Sequence, residues 1–167
     1  MIRMIDLIPI MKDHFNTFRS HATGKILWGE LGFFCAAPTA LGVVGAGLGW
    51  KLGGVDNILA AFAILAGLLF NLLVLLFDVT GKAAQGVGGA TDQNERFKLA
   101  KEVQANVTYS LLVALTTAAI LGVASGMDVE KVNRWVTSVL LILFTHFTLC
   151  LLMILRRIRS VYLNTFS

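Results

Sequence analysis

Charge is what this chain has least of. Of its 167 residues only 14% are charged, with 14 basic and 10 acidic side chains, against about 25% in an ordinary soluble domain. So few charges cannot clothe a water-facing surface of this size, which argues against a soluble globular fold and against a charge-rich disordered chain. Cysteine is nearly absent, at 2 residues, so a disulfide-stapled secreted scaffold is excluded. Strand-like alternation of polar and apolar residues is missing over any useful length. What fills the space is apolar: 56% of the residues are hydrophobic, and the mean hydropathy is +0.76. These features predict an all-α polytopic membrane protein.

A bilayer core about 30 Å thick takes roughly 20 apolar residues of helix. Four stretches meet that length, at 31–50, 57–77, 107–127 and 135–155. In lipid the backbone must satisfy its own hydrogen bonds, so each is expected to be a helix. Residues 30–167 then form a four-helix transmembrane domain, with a loop at 78–106, and residues 1–29 form a lead. Arg3, Asp6, Lys12 and Asp13 interrupt the start of the chain, so it does not read as a cleaved secretory signal.

The basic residues orient the spans. With four spans both termini share a side. That side carries Arg3, Lys12, Arg19, Lys25, Lys82, Arg96, Lys98, Lys101, Arg156, Arg157 and Arg159, while Lys51, Lys131 and Arg134 take the other. The positive-inside rule places the termini in the cytoplasm. The sequence pI of 9.3 is therefore a topology signal, and direct nucleic-acid binding is not expected because no basic-aromatic module is present. Trp50 and Trp135 fall at the outer interface and Trp28 near the inner one, as an aromatic belt.

Within the lead, Met4, Ile8, Met11, Phe15 and Phe18 recur at helical spacing. Pro9 suits a first turn. This amphipathic helix either lies on the inner leaflet, covers a partner, or packs beneath the bundle. The first span carries small residues in four-residue steps, among them Gly42, Gly45, Ala46 and Gly49, and the third repeats the theme with Ala114, Ala118, Gly122 and Gly126. Such ladders let helix backbones approach in lipid, within one chain or between copies. The turn at 51–56 is short, so spans one and two are expected to pair as an antiparallel hairpin. The Gly-rich stretch Gly81 to Asn94 reads as a flexible connector, with the third helix starting near Gln93. It lacks a phosphate-binding pattern. The fourth span has few small residues and is expected to face lipid over much of its surface.

Candidate chemistry is sparse. His146 lies near the middle of the fourth span and Asn71 in the second. Intramembrane polar residues mark either ion pathways or internal hydrogen bonds, and His146 is expected to bond a backbone carbonyl or Asn71. No carboxylate lies at mid-depth, which argues against proton- or sodium-coupled transport. Glu30 and Asp78 sit level with Arg156 and Arg157, where an interfacial ring of ion pairs is expected. Cys35 and Cys150 are isolated thiols, and His14 and His21 have no ligand partners at metal spacing. No catalytic triad, paired-carboxylate motif or metal motif appears, so neither an enzyme nor a cofactor is expected.

The size, the four spans, the cytoplasmic amphipathic lead, the Gly-rich inner loop and the ending Leu152, Met153, Ile154, Leu155, Arg156, Arg157 together resemble small membrane components of bacterial antiphage defence systems, foremost the membrane subunit of the Kiwa system. Multi-span effectors paired with nucleotide-signalling or retron systems share the layout. The resemblance is one of layout over the whole chain. It implies a homo-oligomer in the bacterial inner membrane that senses envelope disturbance during infection and works with a separate cytoplasmic protein, and it transfers no catalytic residues. Two other expectations stand beside it: a pore-forming effector that depolarises the cell, motivated by the ladders with Asn71 and His146, and a small transporter.

Overall fold

In the computed structural model, residues 7–18, 28–84, 90–127 and 131–166 are described. They form five helices: α1 (Ile8–Asn16), α2 (Trp28–Gly47), α3 (Val55–Ala84), α4 (Ala90–Gly126) and α5 (Arg134–Phe166). No strand occurs among the described residues. Four helices are long and apolar enough to cross a membrane, through Trp28–Gly47, Val55–Asp78, Ala100–Gly126 and Arg134–Arg159. The fold is thus all-α and that of a polytopic membrane protein. At 1.5 Å per residue, α4 is about 55 Å long and outruns the bilayer core.

The order of packing departs from the order along the chain. α4 and α5 form the central pair; α3 lies against α4, α2 against α5, and α1 against α4. α2 and α3 do not pack on each other, so the expected hairpin of the first two spans is only a connection. The cause lies in the turns. The Val132 N–H donates to the Leu52 carbonyl at 2.9 Å, and the Leu52 N–H donates to the Thr137 hydroxyl at 3.1 Å. The α2–α3 turn is therefore clipped to the α4–α5 turn. This turn end of the molecule is held by backbone, and α2 continues onto α5.

Small residues explain how closely α2 and α5 pack. A Cβ added at Gly42 would lie 2.7 Å from Ile142 Cδ1 and 3.1 Å from the Ser138 carbonyl, and one at Gly45 would lie 2.6 Å from Leu141 Cδ1. Ala46 is half-buried beside them. Gly49 belongs to a different device. Its φ is +68°, the Trp50 N–H donates to the Gly45 carbonyl, and the Gly49 N–H donates to the Ala46 carbonyl. That is a Schellman cap, which needs a left-handed residue after the helix. On α4 the second ladder turns outward: Ala114 is buried, Ala118 and Gly122 are half-buried, and Gly126 is exposed. Nothing lies within 4 Å of a Cβ at Gly122 or Gly126.

One further expectation changes. α3 runs on to Ala84 and α4 begins at Ala90, so the described part of the presumed 78–106 loop is helix, and the centre of the stretch read as flexible, residues 85–89, lies outside the described residues. The fourth span is open over much of its surface, with 28% of its apolar window buried, yet it is not the most open. α4 is the most buried and α3 the least, because α3 occupies an edge with one full neighbour. Its main inward anchor is Phe62, whose ring meets Phe147 at 5.3 Å and Phe144 at 5.9 Å.

The glycine geometry predicts a contrast. Gly42→Val should overpack the α2–α5 seam and lower stability by about 1–3 kcal/mol, while Gly122→Ala should leave it unchanged or slightly raised. Equilibrium unfolding in mixed detergent micelles measures both, and equal effects at the two glycines would contradict the seam.

Candidate functional site

The polar side chains of this protein gather where α1 meets α4 and α5. α1 opens with Pro9 in its first turn and turns His14 inward, fully buried, with Thr17 and Phe18 just after the helix also buried. His14 Nδ1 lies 2.8 Å from Asn106 Oδ1. The Thr17 hydroxyl lies 3.1 Å from the same oxygen and 2.6 Å from the His14 carbonyl. The His14 imidazole stacks on the Tyr109 ring, with centroids 3.8 Å apart and planes 9° from parallel. Phe18 closes the edge of the imidazole at 5.4 Å and packs on Phe34 of α2 at 5.0 Å.

Tyr109 passes the network to α5. Its hydroxyl lies 2.9 Å from His146 Nε2. The Phe34 backbone is in hydrogen-bonding reach of the same imidazole. Phe34 is special because Pro38, four residues on and buried inside α2, has no N–H to give its carbonyl. A neutral imidazole has one donor and one acceptor, so His146 can serve the Phe34 backbone and the Tyr109 hydroxyl at once. His146 thus bonds Tyr109 of α4 and lies against the Pro38 break in α2, its ring 5.4 Å from that of Phe34. Its expected alternative partner, Asn71, is exposed on the outer face of α3, and the two residues do not meet.

Ionic contacts close the site at its outer rim, the terminal end of the bundle. Arg157 bonds Glu102 of α4, and its Nη2 donates to the Thr17 carbonyl at 2.5 Å. One guanidinium therefore ties α5, α4 and the end of α1. Arg156 lies 3.3 Å from Glu30 at the start of α2. The expected ring of Glu30, Asp78, Arg156 and Arg157 is thereby divided: Glu30 and Arg156 come together, Arg157 turns to Glu102, and Asp78 is exposed on α3. The two cysteines are free, Cys35 exposed and Cys150 buried.

The cluster is incompletely satisfied. Among the described residues, His14 Nε2, Asn106 Nδ2 and Ser110 Oγ are buried without a hydrogen-bond partner. Each buried unpaired group costs about 1–3 kcal/mol. A cavity of about 260 Å³, lined by Ile10, Asp13, Thr17, Glu102, Gln104 and Thr108 among others, opens beside the cluster. On its other side α1 presents Leu7, Ile8, Met11 and Phe15 outward, with Ile8 59% exposed. The helix is both packed beneath the bundle and apolar on its free face. Its buried face is the one headed by His14, and of the apolar stripe read from the sequence Phe18 is buried with it while Ile8, Met11 and Phe15 are exposed. The signal available was the pairing of His14 with Thr17 at helical spacing, matched on α4 by Asn106, Tyr109 and Ser110.

Burial holds the His14 imidazole down at about 4 from its ordinary 6.5; the Asn106 hydrogen bond opposes the fall, while His146 and Arg157 deepen it. The ring also faces Tyr109, and the Arg157 partner Glu102 lies on the same side of α4. Comparison with protein-family models, with curated proteins and with solved structures finds no match for this chain. Among the described residues no group of three or more His, Cys, Asp or Glu is placed to hold a metal ion.

Two outcomes follow from this geometry. His146→Leu should destabilise the protein by about 1–3 kcal/mol, and by clearly less in a Pro38→Ala background, where α2 regains the N–H that Phe34 lacks. A double-mutant cycle of unfolding in micelles measures the coupling, and strict additivity would refute the link. For His14 the docked state holds the neutral ring, whereas a released α1 titrates near 6.5. Docking is therefore at full strength above pH 6.5 and weakens as pH falls toward 4, by roughly 3 kcal/mol. Hydrogen exchange of the α1 amides should show that loss of protection, and His14→Phe, which keeps a stacked ring without a proton, should remove the step.

Proposed function

We propose that this chain is an oligomeric inner-membrane sensor and scaffold subunit, with both termini in the cytoplasm, that holds α1 docked at rest and releases it to a cytoplasmic partner protein when the bilayer is disturbed. One observation carries the reading: the lead helix is seated by a buried polar cluster in which three side-chain atoms have no hydrogen-bond partner among the described residues. A nine-residue helix is too short to persist alone in water, and its docking gains are offset by those unpaired groups. It is a bistable element of the kind a switch requires. Its exposed stripe of Ile8, Met11 and Phe15 meets the inner leaflet when docked, so lipid packing bears directly on the balance. Released, the same stripe is an amphipathic ligand for a hydrophobic groove.

The layout shared with antiphage membrane components supplies a setting, in which infection disturbs the envelope. Self-association is supported by Asn71, which points outward from the least buried span; an amide facing lipid gains about 0.6–2 kcal/mol by bonding across to another helix. The pore-forming reading loses part of its motivation, because Asn71 and His146 lie on different surfaces. No catalytic role belongs to this proposal.

The test places the protein in vesicles of differing acyl-chain length and in vesicles under osmotic stretch, and follows exchange of the α1 amides. Protection of 8–16 should fall by about tenfold or more under stretch or mismatch, while the 131–140 region stays protected. Asn106→Leu should mimic the released state at rest. Exchange in α1 that ignores every bilayer change would overturn the sensor reading.

A further inference from the structure

The opposite end of the molecule holds a second site. Where α4 meets α5 at the turn end, a cavity of about 840 Å³ is walled by Ile120, Val123 and Val136 and rimmed by Lys51, Lys131 and Asn133. That volume falls within the about 300–1,000 Å³ of small-molecule sites. The wall belongs to the spans Ala100–Gly126 and Arg134–Arg159, and Val123 and Met127 are exposed, so the cavity opens sideways toward lipid. The rim lies at the interface, next to Trp50 and Trp135. The two lysines are brought together by backbone: each precedes a residue of the Val132 N–H to Leu52 carbonyl bond, 2.9 Å long. Arg134 is engaged with the Trp135 ring at 5.1 Å, and Asp56 accepts from the Ser125 hydroxyl. Neither lysine has an ion-pair partner among the described residues.

We propose that this cavity binds an anionic phospholipid, its phosphate on Lys51 and Lys131 and an acyl chain along the Ile120–Val123–Val136 wall. A free phosphate would use the lysines and leave the wall bare. A zwitterionic lipid would use the wall but gain little from two adjacent cations. An amphiphile with net negative charge uses both, with Asn133 as a further donor to the headgroup. The site is independent of α1 and of the sensor reading.

Native mass spectrometry of the full-length protein, titrated with phosphatidylglycerol, phosphatidylcholine of the same chains, or inorganic phosphate, tests it. Phosphatidylglycerol should bind at least tenfold tighter than phosphatidylcholine, and inorganic phosphate should not compete. Lys51→Gln with Lys131→Gln should weaken phosphatidylglycerol by about thirtyfold, whereas Lys51→Arg with Lys131→Arg should retain the preference. Ala119→Phe, which narrows the wall, should weaken both lipids with the helical circular-dichroism signal unchanged. Equal binding of the two lipids, full competition by phosphate, or an unaffected glutamine double variant would each overturn the proposal.

Discussion

A hydrocarbon layer offers no hydrogen-bond partner, and one residue makes that constraint bite. Pro38 removes an N–H from the interior of α2 and leaves the Phe34 carbonyl open. The nearest remedy is an imidazole, and His146 of α5 lies within reach of it. Its second nitrogen then needs a partner, which is the Tyr109 hydroxyl of α4. With Tyr109 so oriented, its ring face is fixed, and His14 stacks on it. Asn106, one turn earlier on α4, completes the seat of α1. The seat of the lead helix is thus joined to the break in α2 through α5 and α4, and also directly, by Phe18 packed on Phe34. Each step satisfies a polar group inside the protein because the surroundings cannot.

How far the sequence reveals this depends on which physics is local. Span lengths are local, because a helix of some 20 apolar residues is forced by the thickness of the bilayer, and the four spans were legible for that reason. Which helices touch is not local. The shortness of the 51–56 turn suggested a packed hairpin, yet the Leu52 backbone is spent on Val132 and Thr137, and Gly42 and Gly45 then find α5. Gly49 shows the same limit: a glycine at ladder spacing served as a cap because the helix ended two residues earlier. Of the candidate site, Glu30 with Arg156 and the mid-span His146 were legible from depth alone. His14, Thr17 and Asn106 were not, because hydrophobic periodicity counts them as polar and turns them outward. Their burial is set by partners on another helix, and a single helix's pattern carries no record of those.

The two ends of the bundle are built from different materials, and this bears on which end moves. At the turn end, one main-chain bond between Val132 and Leu52 joins two loops, with the Thr137 hydroxyl bonded to both. Backbone bonds shielded by packed helices open only with larger unfolding. At the terminal end the joints are side chains: one guanidinium shared between Glu102 and Thr17, one exposed pair of Arg156 with Glu30, and an imidazole seated on an amide. Exposed ion pairs contribute about 0–1 kcal/mol, and the buried cluster is weakened by its unpaired atoms. Local opening must therefore concentrate at the terminal end. α4 links the ends: it is the most buried span, and it bears Asn106, Tyr109 and Glu102 near one end and part of the cavity wall near the other. A ligand seated at the turn end stiffens the part of α4 that is already rigid. Any change that loosens α1 acts on the part that is not, and the two ends of α4 therefore respond unequally.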